Sequence, residues 1–220
     1  MAIKLITTED GSHSLKNMEL NETYHSIHGA IQESGHVFIN AGFQHLLNKN
    51  PKGINILEVG FGTGLNALLT AIHQNKVPIQ YTTLEAYPIE VSIYQQLNYA
   101  SQLSTDKEIF LALHEAVWGK QMKIKQGFKI LKIRERIGQA VLPQREFNLV
   151  YFDAFSPGKQ PELWELSVLI KIHRALKPCG ALVTYCAKGQ FKRNLKSIGF
   201  NVESLPGPPG KFQMTRAIKI

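Results

Sequence analysis

Three acidic residues stand at the ends of short apolar runs: Glu58 within Ile54–Val59, Glu85 after Ile79–Leu84, and Asp153 after Phe147–Phe152. The first opens the stretch Glu58-Val59-Gly60-Phe61-Gly62-Thr63-Gly64-Leu65-Asn66. Glycines at alternate positions let a backbone turn tightly and approach a ligand without Cβ collision. Thr63 to Asn66 would then present the amino end of a helix, whose free N–H groups favour negative charge. A dinucleotide site calls for Gly-x-Gly-x-x-Gly, but here the third glycine, Gly64, arrives one residue early and Leu65 takes its place. Glu58 beside a pyrophosphate would also force two anions together in a poorly screened site. It suits a cationic amino-acid tail better. Glu85 is placed to accept hydrogen bonds from both ribose hydroxyls, as the acid about 20 positions downstream does in nucleotide folds. Ribose, a positive amino group and no phosphate together describe S-adenosyl-L-methionine. Its expected contacts are Glu58, Gly60, Phe61, Gly62, Gly64, Asn66 and Glu85. The bland competitor is a structural glycine turn.

Asp153 heads the loop Ala154-Phe155-Ser156-Pro157-Gly158-Lys159 and is the expected catalytic residue. A carboxylate titrates near about 4 and an alkyl amine near about 10, so Asp153 is about six units too weak to deprotonate an ammonium efficiently. Its expected part is to orient an acceptor N–H and to stabilise the positive charge that the nitrogen gains. Phe155 could stack on a base or flank that cationic centre; it could equally anchor the loop. As a cap for the helix expected at Glu162, Asp153 lies too far upstream.

These groups need strands to carry them. Residues 3–20 alternate around Asp10-Gly11 and read as a hairpin, and Gly29 to Leu47 reads as one or two helices. After the breaker cluster Asn50-Pro51-Lys52-Gly53, strands at Ile54–Val59 and Ile79–Leu84 alternate with helices at Leu65–Gln74 and Pro88–Tyr99. A weaker strand falls at Met122–Ile124 or Phe128–Ile133, then come strand Phe147–Phe152, helix Glu162–Leu176, strand Ala181–Tyr185 and helix Gln190–Ile198. The ends Asn201–Ser204 and Thr215–Ile220 have no helix between them, so that last pair is antiparallel. The expectation is an α/β fold with a mostly parallel seven-stranded sheet, its last strand antiparallel. Residues 1–50 form a hairpin-plus-helix extension packed on a domain of residues 51–220.

At 220 residues, 44% hydrophobic and 19% charged, the chain matches one ordinary α/β domain and not a disordered segment. No stretch approaches a membrane span, and the first residues lack the apolar core of a secretory signal. A cytoplasmic protein without membrane contact is expected. Cys179 and Cys186 are too few for a disulfide framework and have no zinc spacing, so no metal is expected. The net charge of +8 favours an anionic partner, with nucleic acid foremost. Basic residues gather at Lys120, Lys123, Lys125, Lys129, Lys132, Arg134 and Arg136, and again at Lys188, Lys192, Arg193 and Lys196.

The turn Leu176-Lys177-Pro178-Cys179-Gly180 resembles the one that precedes the fifth strand of class I (Rossmann-like) methyltransferases, with Cys179 in place of a glycine. A closer resemblance spans Tyr24 to the C-terminus. It rests on Tyr24-His25-Ser26, Glu33-Ser34, Glu58–Asn66, Glu85 with Pro88, Asp153-Ala154-Phe155-Ser156-Pro157, Trp164, and Lys211 with Met214. These residues are similar to the methyltransferase domain of the bacterial enzymes that make 5-methylaminomethyl-2-thiouridine at the tRNA wobble position, and to their stand-alone homologues. The resemblance implies methyl transfer to the exocyclic amine of 5-aminomethyl-2-thiouridine in the tRNA anticodon loop. Asp153 would then face the amine, and Phe155, Pro157 and Lys211 would lie on the substrate side. The flavin-dependent oxidase domain of two-domain members exceeds what 220 residues can hold. Where members often carry Gly-Asp at the end of the third strand, this chain reads Leu131-Lys132-Ile133-Arg134, which leaves adenine recognition open. Two rival readings remain: a polyamine aminopropyltransferase-like enzyme, which needs a more acidic pocket, and a non-catalytic RNA-binding module on the same scaffold.

Overall fold

The computed structural model describes residues 2–220. A small antiparallel sheet opens it: β1 (Ile3–Thr7), β2 (His13–Asn17) and β3 (Glu22–Thr23). The Asp10-Gly11 turn does more than reverse the chain. Asp10 Oδ1 accepts from Ser12 N at 3.0 Å, and Oδ2 accepts from Gln32 N at 3.1 Å, so the turn caps the helix that follows. That helix runs on from α1 (Ala30–Ser34) through a π-helical stretch, Gly35–Gln44, into α2 (His45–Leu47). It lies close on the sheet: a Cβ at Gly42 would come within 2.9 Å of Val183 Cγ2.

The central sheet contains β4 (Ile54–Val59), β5 (Ile79–Leu84), β6 (Gln121–Lys125), β7 (Phe128–Ile133), β8 (Phe147–Phe152), β9 (Leu176–Thr184), β10 (Phe200–Pro206) and β11 (Gln213–Lys219). Their spatial order is β10-β11-β9-β8-β4-β5-β7-β6. Strands β4, β5, β7, β8 and β9 run parallel, while β11 lies antiparallel between β9 and β10. The expected fold class is therefore observed, with eight strands in this sheet among the described residues where seven were expected. The extra strand arises because Gln121–Lys125 and Phe128–Ile133 both form, joined across Gln126-Gly127 with Gly127 at φ +76°.

Helices α3 (Leu65–His73), α4 (Val91–Tyr94), α5 (Tyr99–Gln102), α6 (Lys107–Glu115), α7 (Leu166–Ala175) and α8 (Gly189–Ser197) complete the fold. Of the helix expected around Pro88–Tyr99 only α4 forms, with α5 starting at Tyr99, and α6 lies in a stretch where no helix was expected. Its signal is nonetheless present: Asp106 Oδ1 caps Glu108 N at 2.8 Å, and Phe110 and Leu113 are buried. The helix expected over Glu162–Leu176 begins as a 3-10 turn, Pro161–Trp164, and ends at Ala175, because Leu176 already pairs in β9.

Two apolar layers flank the sheet. Ile56, Tyr81, Tyr151 and Val183 pack with Leu68 of α3 and with Val37, Phe38 and Phe43 of the N-terminal helix. Leu57, Val150, Phe152 and Leu182 pack with Leu169 and Ile172 of α7 and Phe191 and Leu195 of α8. Strand β4 has β5 on one side and β8 on the other, so the strand order reverses there. Ligands of open α/β sheets bind in the crevice beyond the carboxyl ends at such a point.

Candidate active site

Beyond the carboxyl ends of β4, β5 and β8 lies a cavity of about 640 Å³. Strand ends pin the glycine loop to its neighbours: Gly60 N donates to Leu84 O at 2.9 Å, and Asp153 N donates to Val59 O at 3.0 Å. Gly60 sits at φ +92°, and a Cβ there would lie 2.6 Å from the Asp153 carbonyl oxygen, so glycine is required. Glu85, at the tip of β5, accepts from Gly62 N at 3.0 Å and from Tyr87 N at 2.8 Å. Burial raises the pKa of its carboxyl group while these backbone donors oppose the rise. Gly64, at φ +74°, precedes the first residue of α3.

Of the residues expected from sequence, Gly60, Phe61, Gly62, Asn66, Glu85, Asp153, Phe155 and Lys211 line the cavity; Glu58, Gly64 and Pro157 do not. Glu58 is fully buried on the sheet face beneath α3. Burial raises its pKa well above the usual carboxylate value, against hydrogen bonds from Thr83, Tyr81 and Asn66, and the Asp153 charge adds to the rise. The burial follows from register: Glu58 lies across from Thr83 and Tyr151 and shares their inward-facing side of the strand. Asn66 reaches the cavity wall, but its Nδ2 donates to Asp153 Oδ2 at 2.8 Å and its Oδ1 is buried.

The Asp153 end of the cavity is walled by aromatic rings. Tyr24 and Phe155 meet edge to face at 5.0 Å, and Trp164 Nε1 donates to Phe155 O at 2.8 Å, which fixes the loop after Asp153. Tyr185 Oη donates to Ala154 O at 2.7 Å. Lys211 Nζ lies 3.9 Å from the centre of the Tyr185 ring and pairs with the buried Glu33 at 2.5 Å, while the other Glu33 oxygen takes Ser26 N at 2.6 Å. Burial, then the nearby Glu33 charge, pushes the Asp153 carboxyl up to about 7, against the opposing effects of Asn66 and Lys211. The six-unit mismatch with an amine therefore narrows to about three.

Sequence patterns alone did not single out Glu33, His25 and Glu135 as site residues, although Glu33 and His25 fall within the resemblance. His25 is buried between Ser14 Oγ, at 3.0 Å, and Thr63 Oγ1, at 3.5 Å, and burial lowers its pKa to about 4. It ties the small sheet to the glycine loop as a neutral ring. The third-strand end is also clear. Lys132 points away from the cavity; its amine donates to His114 O and lies 5.4 Å from the Phe61 ring centre and 4.6 Å from that of Trp118. Burial lowers it to about 8. Glu135 and Ile137, just beyond the strand, line the cavity instead.

The lining is acidic in a basic protein: Glu19, Glu22, Glu33, Glu85, Glu135, Asp153 and Glu162 stand against Arg136 and Lys211. Of these two cations, Lys211 is paired with Glu33 and Arg136 lies 5.4 Å from the Tyr87 ring centre. Such a lining fits a ligand bearing ammonium or sulfonium charge and disfavours a pyrophosphate. Residues 97–220, more than half of the chain, match the family described as S-adenosyl-L-methionine-dependent methyltransferase. The chain belongs to that family. S-adenosyl-L-methionine is accordingly its cofactor, and the protein is an enzyme. No described helix is long and apolar enough to cross a membrane. Among proteins similar to this methyltransferase is the tRNA 5-methylaminomethyl-2-thiouridine biosynthesis bifunctional protein MnmC of Cupriavidus necator, 28% identical over 90% of this chain and 32% of that protein. The protein of the same name from a Marinomonas species is 29% identical over 94% of this chain and 32% of its own length. The chain thus spans about a third of the length of these curated relatives. The crystal structure of MNMC2 from Aquifex aeolicus superposes with a TM-score of 0.78 at 28% identity, covering 98% of this chain and 70% of that one.

Proposed function

We propose that this methyltransferase transfers the methyl group of S-adenosyl-L-methionine to the exocyclic amine of 5-aminomethyl-2-thiouridine at the tRNA wobble position, and so acts in the cytoplasm. The observation that carries this reading is Asp153: a carboxyl group shifted to about 7, beside the glycine loop and inside an aromatic-walled cavity. The names of the MnmC relatives and the +8 charge of the chain support a tRNA partner.

In this reading Gly60, Phe61 and Gly62 pass along the cofactor, Glu85 accepts its ribose hydroxyls, and Glu135 and Ile137 border its adenine. Gly64 sets the left-handed turn into α3. When bound, the cofactor supplies an electrophilic methyl group. Asp153 orients the acceptor N–H and, above about pH 7, accepts the proton that the amine must lose. Phe155 and Tyr24 flank the base, Lys211 holds the far end through Glu33, and Pro157 shapes the loop. Residues 1–50 act as an extension of a 51–220 catalytic domain, because Tyr24, His25 and Glu33 wall its cavity.

Incubation with labelled S-adenosyl-L-methionine and tRNA carrying 5-aminomethyl-2-thiouridine tests the reading, with labelled 5-methylaminomethyl-2-thiouridine as the expected nucleoside. Absence of that product would leave the family and remove the substrate. The acidic lining favours one rival, an aminopropyltransferase-like reaction on a small polyamine. Preference for decarboxylated cofactor over the intact form would select it.

A further inference from the structure

The positive charge of the chain is gathered near its end. Residues 166–220 hold ten lysines and arginines against one acid, Glu203, a net charge of +9, which leaves the first 165 residues at −1. Part of that charge is matched inside the fold: Arg216 Nε pairs with Glu203 Oε2 at 2.5 Å, and Lys219 Nζ donates to His173 O at 2.7 Å and Leu176 O at 2.8 Å. Lys188, Lys192 and Arg193 sit differently. They follow the carboxyl end of β9, on the side where Tyr185 lines the cavity, and Lys188 and Arg193 are exposed. Strand β11 begins at this same edge, because it runs antiparallel to β9 with Thr215 opposite Thr184.

The loop before β11 closes on itself, with Gly207 N donating to Phe212 O at 3.1 Å and Lys211 N to Pro208 O at 2.9 Å, and its Gly210 packs on the His28 ring, part of the cavity wall. From that loop Lys211 turns inward to Glu33, while Phe212, one residue on, is 92% exposed. Every other phenylalanine among the described residues is buried or partly buried. Lys192 Nζ comes to the same place, donating to Gln213 Oε1 at 3.1 Å and Ser204 Oγ at 2.7 Å. A lone exposed apolar side chain is ordinary. A bare ring among cations beside a pocket is the makeup of a single-strand site, where a base stacks on the ring and basic side chains hold the phosphates. We propose that Phe212 is a stacking platform for the unpaired RNA base next to the nucleotide in the cavity, with Lys188, Lys192 and Arg193 on the flanking phosphates. Charge complementarity selects RNA as the occupant, since a second copy of this chain docked through the same face would set like charges together. The inference rests on the reading of a tRNA nucleotide as the substrate.

The test measures Kd and steady-state kinetics with an anticodon stem-loop RNA carrying 5-aminomethyl-2-thiouridine, and with the same RNA bearing an abasic ribose on either side of that nucleotide in turn. In Phe212→Ala, Kd and KM for the intact RNA rise about tenfold, while kcat at saturating RNA and affinity for S-adenosyl-L-methionine stay within about threefold. Phe212→Trp binds at least as well as the wild type, and Phe212→Leu, apolar without a π-face, loses nearly as much as the alanine variant. One of the two abasic RNAs binds the wild type about tenfold more weakly but costs Phe212→Ala less than about twofold, because the ring and the missing base are partners. Unchanged affinity in Phe212→Ala overturns the proposal. So does a wild-type affinity in Phe212→Leu, or abasic and alanine effects that simply multiply. A wild type that sediments as a dimer beside a monomeric Phe212→Ala protein would assign the ring to self-association and overturn the proposal too. If the wild type fails to methylate the RNA, the tRNA reading falls and the platform with it; if it methylates the RNA and only the Phe212 results fail, that reading stands alone.

Discussion

At Asp153 the proposed function sets two demands that conflict. A base for an amine needs a raised pKa, and burial beside Glu33 supplies it, yet the fold must then carry a carboxylate that it disfavours. The sign of the cost follows from linkage. The folded-state pKa of about 7 lies above the unfolded value of 3.8, so the protonated form favours folding. That contribution is complete below about pH 4 and is lost as pH rises to about 7. Asp153→Asn, neutral throughout, should therefore match the wild type in melting temperature near pH 4 and exceed it above pH 7. The same variant should lose about a hundredfold or more in kcat, with cofactor affinity nearly unchanged. Equal melting curves at pH 8 would show that Asp153 is not raised.

At the scale of elements, β9 opens with a local misfit. Leu176-Lys177-Pro178-Cys179-Gly180 bulges out of the pairing with β8, and Cys179 takes φ +60° on the surface. A non-glycine residue in that left-handed region costs roughly 1–2 kcal/mol, while glycine costs the unfolded chain about 0.5–1 kcal/mol of added freedom. Cys179→Gly should then stabilise by about 0.5–1 kcal/mol, read from chemical denaturation, with activity unaffected. Gly180 cannot be exchanged in the same way, since a Cβ there would lie 2.9 Å from both Leu176 Cδ2 and Lys177 O.

Across the whole molecule, charge is divided by location: acids line the cavity, and the surplus of lysine and arginine lies outside it. The two basic clusters occupy opposite edges of the sheet, β6–β7 at one and α8 beside β10 and β11 at the other. Lys188 follows Tyr185, a cavity residue, by three positions, whereas Lys123 and Lys129 pair across the edge hairpin toward the amino end of β7. Under the proposed function, replacing exposed Lys188 and Arg193 by glutamate should weaken tRNA binding about tenfold or more and flatten its salt dependence. The same change at Lys123 and Lys129 should leave binding within about threefold, as measured by filter retention across a salt series.

Much of this was legible in the chain alone. Apolar runs with Gly60, Gly62 and Gly64 after one of them, and Glu85 and Asp153 after two others, specify parallel strands that deliver these groups to one edge, because periodicity and chain breakers are local properties. A nucleotide-type site with the Asp153 carboxyl group at one end follows from that pattern. Only the tertiary structure decided which way the side chains face and what surrounds them. Glu58 and Glu85 occupy similar positions in sequence, yet sheet register buries the first beneath α3 and leaves the second in the cavity. Glu33 and His25 reach the site from a distant part of the chain, and the raised pKa of Asp153 comes from burial together with Glu33, 120 positions earlier in the sequence. Electrostatics depends on distance through space, and that is set only when the chain has folded.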